Sequence, residues 1–299
     1  MIGRNAGRDL KRMPSAVYWG GLGSWGIRRH DLSLAEYGRR AASFGRLKPE
    51  RDDDGNAANR SMPMWARVPP PPDDFLHGEI SFELKQVEAQ FLTDQIQQNH
   101  KGTLLALLCS TPDAASVVDH AWDLPLAGMP DGLVEVLRHA RSFSEITAGP
   151  QHVYNLLLAR KANVELQWDT EELERRVLAD ISTWVDLIFE RREELFSWVK
   201  DLPEFWEFLI GWGVGVGPQT FITALAERAV ENPEKFANDP EVHDLICGQE
   251  LRLKSQRARL THRAALENWN QQPVGGQLDY RWPTTRSFLA DIAAARRTA

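Results

Sequence analysis

The chain has 299 residues, enough for one large hydrophobic core or two smaller ones. Hydrophobic residues make up 42% of it and charged residues 26%, which excludes a disordered or fibrous protein. The net charge of −7 excludes a protein whose whole surface binds nucleic acid, although it leaves room for a local basic patch.

The sequence carries no signal for export or for a membrane. Cys109 and Cys247 lie far apart, which indicates neither a disulfide framework nor a cysteine-ligated zinc site. The first residues, MIGRNAGRDLKRMP, lack the apolar core of a signal peptide. The longest nearly apolar run, FLIGWGVGVG, is shorter than the roughly 18 residues of a membrane span. We therefore expect a cytoplasmic protein with no membrane contact.

The N-terminal part of the chain combines a tail, an aromatic segment and a loop. Residues 1–14 are polar and predict a flexible tail, and 15–80 predict an aromatic helical segment followed by a loop rich in proline and aspartate. Ser33 and Glu36 have capping-box spacing, which predicts a helix start. Four prolines, Pro69–Pro72, extend the loop.

A helical block is predicted over residues 81–167. Ser81 is the expected N-cap of its first helix. Apolar residues at helical spacing then predict one helix over 133–143 and another over 153–159, with Gly149 and Pro150 between them.

A second helical block, with a basic helix near the C-terminus, is predicted over residues 168–299. Asp169 with Glu172 has capping-box spacing, and Asp201 is the expected cap of the next helix. Asp239 before a proline predicts the start of a long helix that reaches Trp269. One apolar stripe follows the first of these starts: Leu173, Val177, Ile181, Trp184, Ile188 and Leu195.

These patterns predict an all-α fold, an irregular multi-helix bundle with little or no strand and one long proline-rich loop. The sequence has neither the alternation of a solvated sheet nor the rhythm of βαβ units. It also has no internal repeat of fixed period.

The basic stretch LRLKSQRARLTHR, residues 251–263, is the main candidate contact surface. It holds five Lys or Arg and no acid: Arg252, Lys254, Arg257, Arg259 and Arg263. On one continuous helix Arg252, Arg259 and Arg263 would fall within about 40° of one another, with apolar residues on both flanks. Such a stripe either binds DNA phosphates or forms an internal strut on carboxylates and helix C-termini. The apolar flanks and the negative net charge favour the strut.

The stretch GGQLDYRWP, residues 275–283, is the main candidate for a polar site. It places Asp279, Tyr280, Arg281 and Trp282 in succession after two glycines. We interpret it as a joint before a last helix of residues 284–295, with Asp279 as a clamp on an arginine of the basic helix. The alternative is an active site.

Other constellations are weaker. Asp73, Glu83 and Lys85 imitate a metal-dependent nuclease, but that chemistry needs Glu83 and Lys85 on one side of a strand, and the pattern favours a helix start. The glycine-rich GWGVGVG lacks the Lys-Ser/Thr of a phosphate-binding loop and indicates a stop between helices. His139 and His152 lie on predicted helices as structural histidines. No catalytic residue, cofactor or metal ligand is therefore predicted.

Four blocks of the sequence resemble an uncharacterised, mostly helical bacterial family, a domain of unknown function. They are AVYWGGLGSWGI at 16–27, HARSFSEI at 139–146, VYNLLLA at 153–159, and LKSQRARL through ALENW to QLDYRW at 253–282. The resemblance implies a shared fold and an origin among mobile-element or antiviral defence genes. It also implies that the family's region before the first block is missing here.

Together these observations predict a non-catalytic accessory subunit of a multi-subunit bacterial defence or DNA-processing assembly. It would bind a partner protein, or DNA if the basic helix contacts phosphates. The alternative is an enzyme of unrecognised class, a nuclease or nucleotide hydrolase, with its polar site at Asp279–Arg281.

Overall fold

The computed structural model describes residues 14–44, 64–71, 73, 75, 77, 78, 81–211 and 213–298. Over these ranges the chain is all α, as predicted, and the only extended pairing in them is a single antiparallel bridge between Arg28 and Trp65. The predicted tail up to residue 13, most of the proline- and aspartate-rich loop (45–63) and Trp212 lie outside the described residues.

The described α-helices follow one another from the N-terminal aromatic segment to the C-terminus. In chain order they are α1 (Pro14–Ser24), α2 (Leu34–Phe44), α3 (Gln86–Asn99), α4 (Leu104–Leu108), α5 (Asp131–Leu166), α6 (Glu171–Glu190), α7 (Arg192–Lys200), α8 (Leu202–Ile210), α9 (Val216–Glu231), α10 (Pro233–Phe236), α11 (Pro240–Lys254), α12 (Arg263–Glu267) and α13 (Trp282–Arg297).

The chain divides into two compact units. The first comprises Met1–Pro125 with Arg281–Ala299, and the second comprises Leu126–Tyr280. The predicted boundary between residues 167 and 168 lies inside the second unit, between α5 and α6.

In the first unit, α13 packs against α3 and a 3₁₀ turn at Pro112–Val117. The indole of Trp282, at the start of α13, donates to the Val118 carbonyl over 3.4 Å. The capping box predicted at α2 is confirmed, because the Glu36 carboxylate accepts from the Ser33 amide at 2.9 Å and Ser33 Oγ accepts from the Glu36 amide at 3.2 Å.

The predicted start of a helix at Ser81 is wrong, because α3 begins at Gln86. The Lys85 amide donates to the Glu88 carboxylate at 2.8 Å, which satisfies a free donor at the helix start. Residues 81–85 are therefore neither helix nor strand, and Glu83 and Lys85 are exposed there. The strand that a nuclease site would require is not formed.

In the second unit, α5 is the central helix, and α6, α7, α9, α11 and α12 pack against it. The apolar stripe predicted from Leu173 to Leu195 is buried along its whole length. It faces the buried half of α5, from Ile146 to Ala162. Burial of these apolar side chains drives the association of α6 with α5.

The predicted break at Gly149 and Pro150 is wrong, because α5 runs unbroken through both residues. Proline removes one backbone hydrogen bond from a helix. Here the Trp184 ring of α6 covers Gly149, and a Cβ at that position would lie only 2.3 Å from the ring. The Trp184 indole also donates to the Glu145 carbonyl at 2.8 Å, so contacts with Trp184 just before Pro150 help to offset the lost bond.

The predicted long helix from Asp239 to Trp269 is also wrong. Its start is confirmed, since the Asp239 carboxylate accepts from the Glu241 amide at 2.9 Å. The helix ends at Lys254, however, and Ser255 has φ 48° and ψ −123°, which no helix contains. A 3₁₀ turn and a loop then lead to the short α12.

Candidate functional site

The basic segment, residues 251–263, does not form the predicted stripe. Arg252 lies on α11, Arg259 lies in the loop, and Arg263 begins α12. Because the helix ends between them, these three side chains do not share one helical face. The apolar flanks predicted beside the stripe do not form either, because Leu260 is buried but Leu253 is 68% exposed.

Two arginines of the basic segment bind groups inside the second unit. Arg252 Nη2 donates to the Gly217 carbonyl at 3.1 Å. Arg263 Nη1 donates to the Glu165 carbonyl in the last turn of α5 at 2.7 Å, and its Nε donates to the Glu267 carboxylate at 3.0 Å. A guanidinium at a helix C-terminus neutralises free carbonyls and the negative end of the helix dipole.

Glu250 of α11 is buried near the end of the helix, and neighbouring donors hold its carboxylate. The Tyr154 hydroxyl of α5 donates to Oε1. Lys254 Nζ donates to the same oxygen at 3.1 Å, and the Leu260 amide donates to Oε2 at 2.8 Å. Glu250 therefore links α5, the end of α11 and the loop behind it.

These contacts fix the protonation of both residues. Burial acts to raise the pKa of Glu250, but hydrogen bonds from Tyr154, the Leu260 and Arg259 amides and Lys254 outweigh it and leave the pKa below its ordinary value. Burial, with the hydrogen bond to Glu250 and its charge, raises the pKa of Tyr154 far above its usual range. Glu250 is thus an anion at neutral pH, and Tyr154 remains a protonated donor.

Sequence reasoning missed Glu250. Its one local signal is that Glu250 and Lys254 are four residues apart, a spacing at which a helix brings an acid and a base together. The contribution of Tyr154 comes from α5, and no local pattern indicates it.

A cleft of about 300 Å³ opens beside this cluster, and we call it the Tyr154 cleft. Its walls come from α5, α9, α11 and the segment after α12. Leu253 and Val274, at 68% and 52% exposure, are its most exposed apolar residues. The apolar lining consists of Pro150, Phe221, Ile222, Ile246, Leu253 and Val274.

Residues 270–280 form a non-helical strap along α5, and this strap supplies Val274 to the cleft. One face of α5 holds the strap, because the α5 positions that bind it are spaced by four or seven residues. The bonds run from Asn155 Nδ2 to the Val274 carbonyl (2.8 Å), from the Val274 amide to Asn155 Oδ1 (3.1 Å), from Gln151 Nε2 to the Gly276 carbonyl (3.3 Å), from the Leu278 amide to Ser144 Oγ (2.7 Å) and from the Tyr280 hydroxyl to the Ala140 carbonyl (2.9 Å).

The glycines of the strap do more than turn the chain. Gly275 has φ 105°, and a Cβ there would lie 2.4 Å from Gln151 Oε1. Only glycine fits both this backbone conformation and the close approach to α5. The predicted joint is therefore a fixed wall of the cleft.

The four residues of the predicted polar site are divided between the units. Asp279 and Tyr280 end the second unit, and Arg281 and Trp282 begin the C-terminal part of the first. The clamp between Asp279 and an arginine of the basic segment stays a prediction.

The glycine-rich stretch GWGVGVG and His139 are two of the remaining candidates from the sequence, and both have a structural role. The stop between helices predicted at GWGVGVG is confirmed at Gly211 and residues 213–215, which lie between α8 and α9, while Val216 and Gly217 begin α9. His139 is buried, and its Nδ1 accepts from the Trp198 indole at 2.9 Å, as expected of a structural histidine. Within the described ranges no three His, Cys, Asp or Glu residues are grouped to hold a metal ion, and no helix is long and apolar enough to cross a bilayer.

Comparison with known proteins gives one match. No curated protein and no solved structure matches the chain. The sequence pattern of one family covers residues 1–296, almost the whole chain. The chain belongs to the family of unknown function DUF6361.

Proposed function

We propose that this chain is a non-catalytic helical subunit that binds a partner protein through the Tyr154 cleft. The resemblance noted in the sequence supports an assembly that belongs to bacterial antiviral defence or DNA processing. The proposal rests above all on one observation: an apolar cleft whose rim residues Leu253 and Val274 are largely exposed.

The size and lining of the cleft favour an apolar side chain of a partner as its occupant. Interfaces gain most of their affinity from a few large apolar or aromatic anchors that fill pockets. A volume of about 300 Å³ suits such an anchor and lies at the lower end of the range for small-molecule sites. The strap fixes one wall, so the cleft needs little ordering when the partner binds.

The charged cluster beside the cleft supports a non-catalytic role. Both oxygens of Glu250 already accept hydrogen bonds, and Tyr154 keeps its proton. A general base needs a pKa near the working pH, whereas the pKa of Glu250 lies below its ordinary value and that of Tyr154 lies far above its usual range. The cluster instead holds the end of α11 in place.

The test compares two substitutions of exposed apolar residues in the second unit. Leu253→Asp puts a charge on the rim of the cleft, whereas Val164→Asp puts one at the end of α5, at a side chain that is 71% exposed. The chain is purified from its host with each substitution, the co-purifying proteins are identified, and binding is repeated with purified components. We expect Leu253→Asp to weaken binding by about tenfold or more. Equal effects of both substitutions, or no partner for the wild type, would refute the proposal.

DNA is the second candidate partner, and exposed Arg252, Arg257 and Arg263 are the observation that supports it. Fluorescence anisotropy with duplex and single-stranded DNA, over a range of salt concentrations, measures DNA binding. Salt-sensitive binding that is lost when Arg252, Arg259 and Arg263 become Glu, in a chain that still folds, would establish a DNA surface. Loss of folding in that variant would support the internal strut.

A further inference from the structure

Helix α11 has an exposed face on the side opposite the residues that it buries. It buries Val242, Ile246 and Glu250. A second, wider cleft of about 720 Å³ runs between α9 and this exposed face. The α11 residues that line this cleft are called the α11 face: Glu241, Asp244, Leu245, Gly248, Gln249 and Arg252.

The charges along the α11 face are ordered from acidic to basic. Asp244 is exposed four residues before Gly248, and Arg252 is exposed four residues after it, although one guanidinium nitrogen of Arg252 donates to the Gly217 carbonyl of α9. Glu241 already forms an ion pair with Arg228 of α9. Asp244 is therefore the acid that the α11 face exposes near Gly248. The order also agrees with the helix dipole, which favours acids at the N-terminus and bases at the C-terminus.

This order is self-complementary for two antiparallel copies of α11. If the two Gly248 residues face each other, each Asp244 lies opposite Arg252 of the other copy, because both are about 6 Å along the helix from the centre. Leu245 on the face and Leu251 beside it also match, because each is three residues from Gly248; Leu245 is partly buried against the core and Leu251 is 44% exposed. The central turns of the face thus pair acid with base and leucine with leucine.

Gly248 at the centre is otherwise unexplained. Glycine within a helix is unfavourable, because it adds backbone freedom to the unfolded chain. A Cβ at position 248 would meet nothing within 4 Å, so the chain itself does not require glycine there. A second helix that crosses at this point could approach closely because the side chain is absent.

We propose that α11 mediates a twofold homodimer, in which the α11 faces of two copies pair in antiparallel orientation about Gly248. A twofold axis is the commonest symmetry of soluble oligomers, and it requires a self-complementary surface of this kind. The dimer goes beyond the proposed function and uses a different cleft. A monomeric chain could still bind a partner at the Tyr154 cleft, so the two proposals fail independently.

Charge reversal with sedimentation equilibrium on the full chain tests the dimer. The chain has a mass of 33.9 kDa, and we expect twice that mass for the wild type. Asp244→Arg and Arg252→Asp each place like charges opposite each other, so each variant alone should weaken the dimer by about tenfold or more. An equimolar mixture of the two variants restores both ion pairs, and we expect heterodimers. The double variant in one chain should restore homodimers.

A pair of glycine substitutions provides the steric control. Gly248→Trp fills the centre of the pairing and should give monomers, whereas Gly132→Trp, at the start of α5, should leave the dimer intact. A Cβ meets nothing within 4 Å at either position. Thermal unfolding confirms that each variant folds. A monomeric wild type, or single charge variants that dimerise like the wild type, would overturn the proposal. So would a mixture that stays monomeric although both components are folded.

Discussion

The Tyr154 hydroxyl of α5 donates a hydrogen bond to the buried carboxylate of Glu250 on α11. The other oxygen of that carboxylate accepts the Leu260 amide, beyond the end of the helix. This relationship explains why a segment with helical character does not continue as a helix. By turning after Lys254, the chain places backbone amides on a charge that would otherwise be buried without enough donors.

Replacing Glu250 by Ala should therefore destabilise the second unit. The substitution leaves the Tyr154 hydroxyl and the Leu260 amide without their acceptor, at an expected cost of about 2–4 kcal/mol. Urea denaturation, followed by tryptophan fluorescence, measures this loss in the free energy of unfolding. Glu267→Ala removes an exposed ion pair with Arg263 and should cost no more than about 0.5 kcal/mol. Similar losses for both variants would show that the Glu250 cluster does not hold the turn.

Gly149→Ala and Gly132→Ala should have opposite effects within the same helix. A methyl group at Gly149 collides with the Trp184 ring and should cost about 1–3 kcal/mol. At Gly132 a methyl group meets nothing, and the gain in helix propensity should stabilise the protein by up to about 1 kcal/mol. Thermal unfolding of both variants measures the difference. A neutral Gly149→Ala would contradict the close packing of α6 on α5.

Ser255→Gly should stabilise the protein. Ser255 has φ 48° and ψ −123°, a conformation that glycine adopts without the clash of a Cβ, so relief of strain should gain about 1 kcal/mol. The same substitution at Ser182, on the exposed side of α6, should instead cost about 0.5 kcal/mol through lower helix propensity. Chemical denaturation of both variants provides the comparison. If Ser255→Gly also destabilises, Ser255 is not strained.

The free energy of unfolding should fall as the pH drops below about 6.5, the ordinary pKa of histidine. Burial, and then the Arg138 charge, lower the pKa of His139, against the opposing effect of Glu135 and Asp201. The folded chain therefore binds fewer protons than the unfolded chain, and stability is lost as the pH falls through the folded pKa. Burial lowers the pKa of His152 as well, which adds a loss of the same sign.

The pH dependence of unfolding in His139→Gln isolates the first contribution. Gln retains an acceptor for the Trp198 indole, so the variant should fold and show a shallower decline between neutral and acidic pH. His77→Gln, at an exposed position, should keep the slope of the wild type. An unchanged slope in His139→Gln would mean that the protonation of His139 is not linked to folding.

Patterns that depend on neighbours in sequence predicted much of the fold. The apolar stripe of α6 and the caps at Ser33 and Asp239 were all confirmed, because capping and helical periodicity act over a few residues. The Gly149–Pro150 break was wrong because the Trp184 ring, from another helix, decides the outcome there.

The candidate site was predicted less well than the fold. Cationic residues at 252, 259 and 263 suggested one stripe, but Glu250 draws the chain into a turn between them. The Tyr154 cleft is assembled from α5, α9, α11 and the strap, which are far apart in sequence. The sequence predicted the strap only as a joint before the last helix, because the bonds that fix it come from Asn155, Gln151 and Ser144 on α5.

Hydrogen–deuterium exchange of the chain, alone and with its co-purified partner, tests the central claim most directly. If the partner inserts a side chain into the Tyr154 cleft, protection should increase in the second half of α11 and in the strap around Val274. The exposed end of α5 at Val164 should exchange as before. Protection confined to residues outside the cleft, with α11 and the strap unchanged, would contradict the proposed docking site.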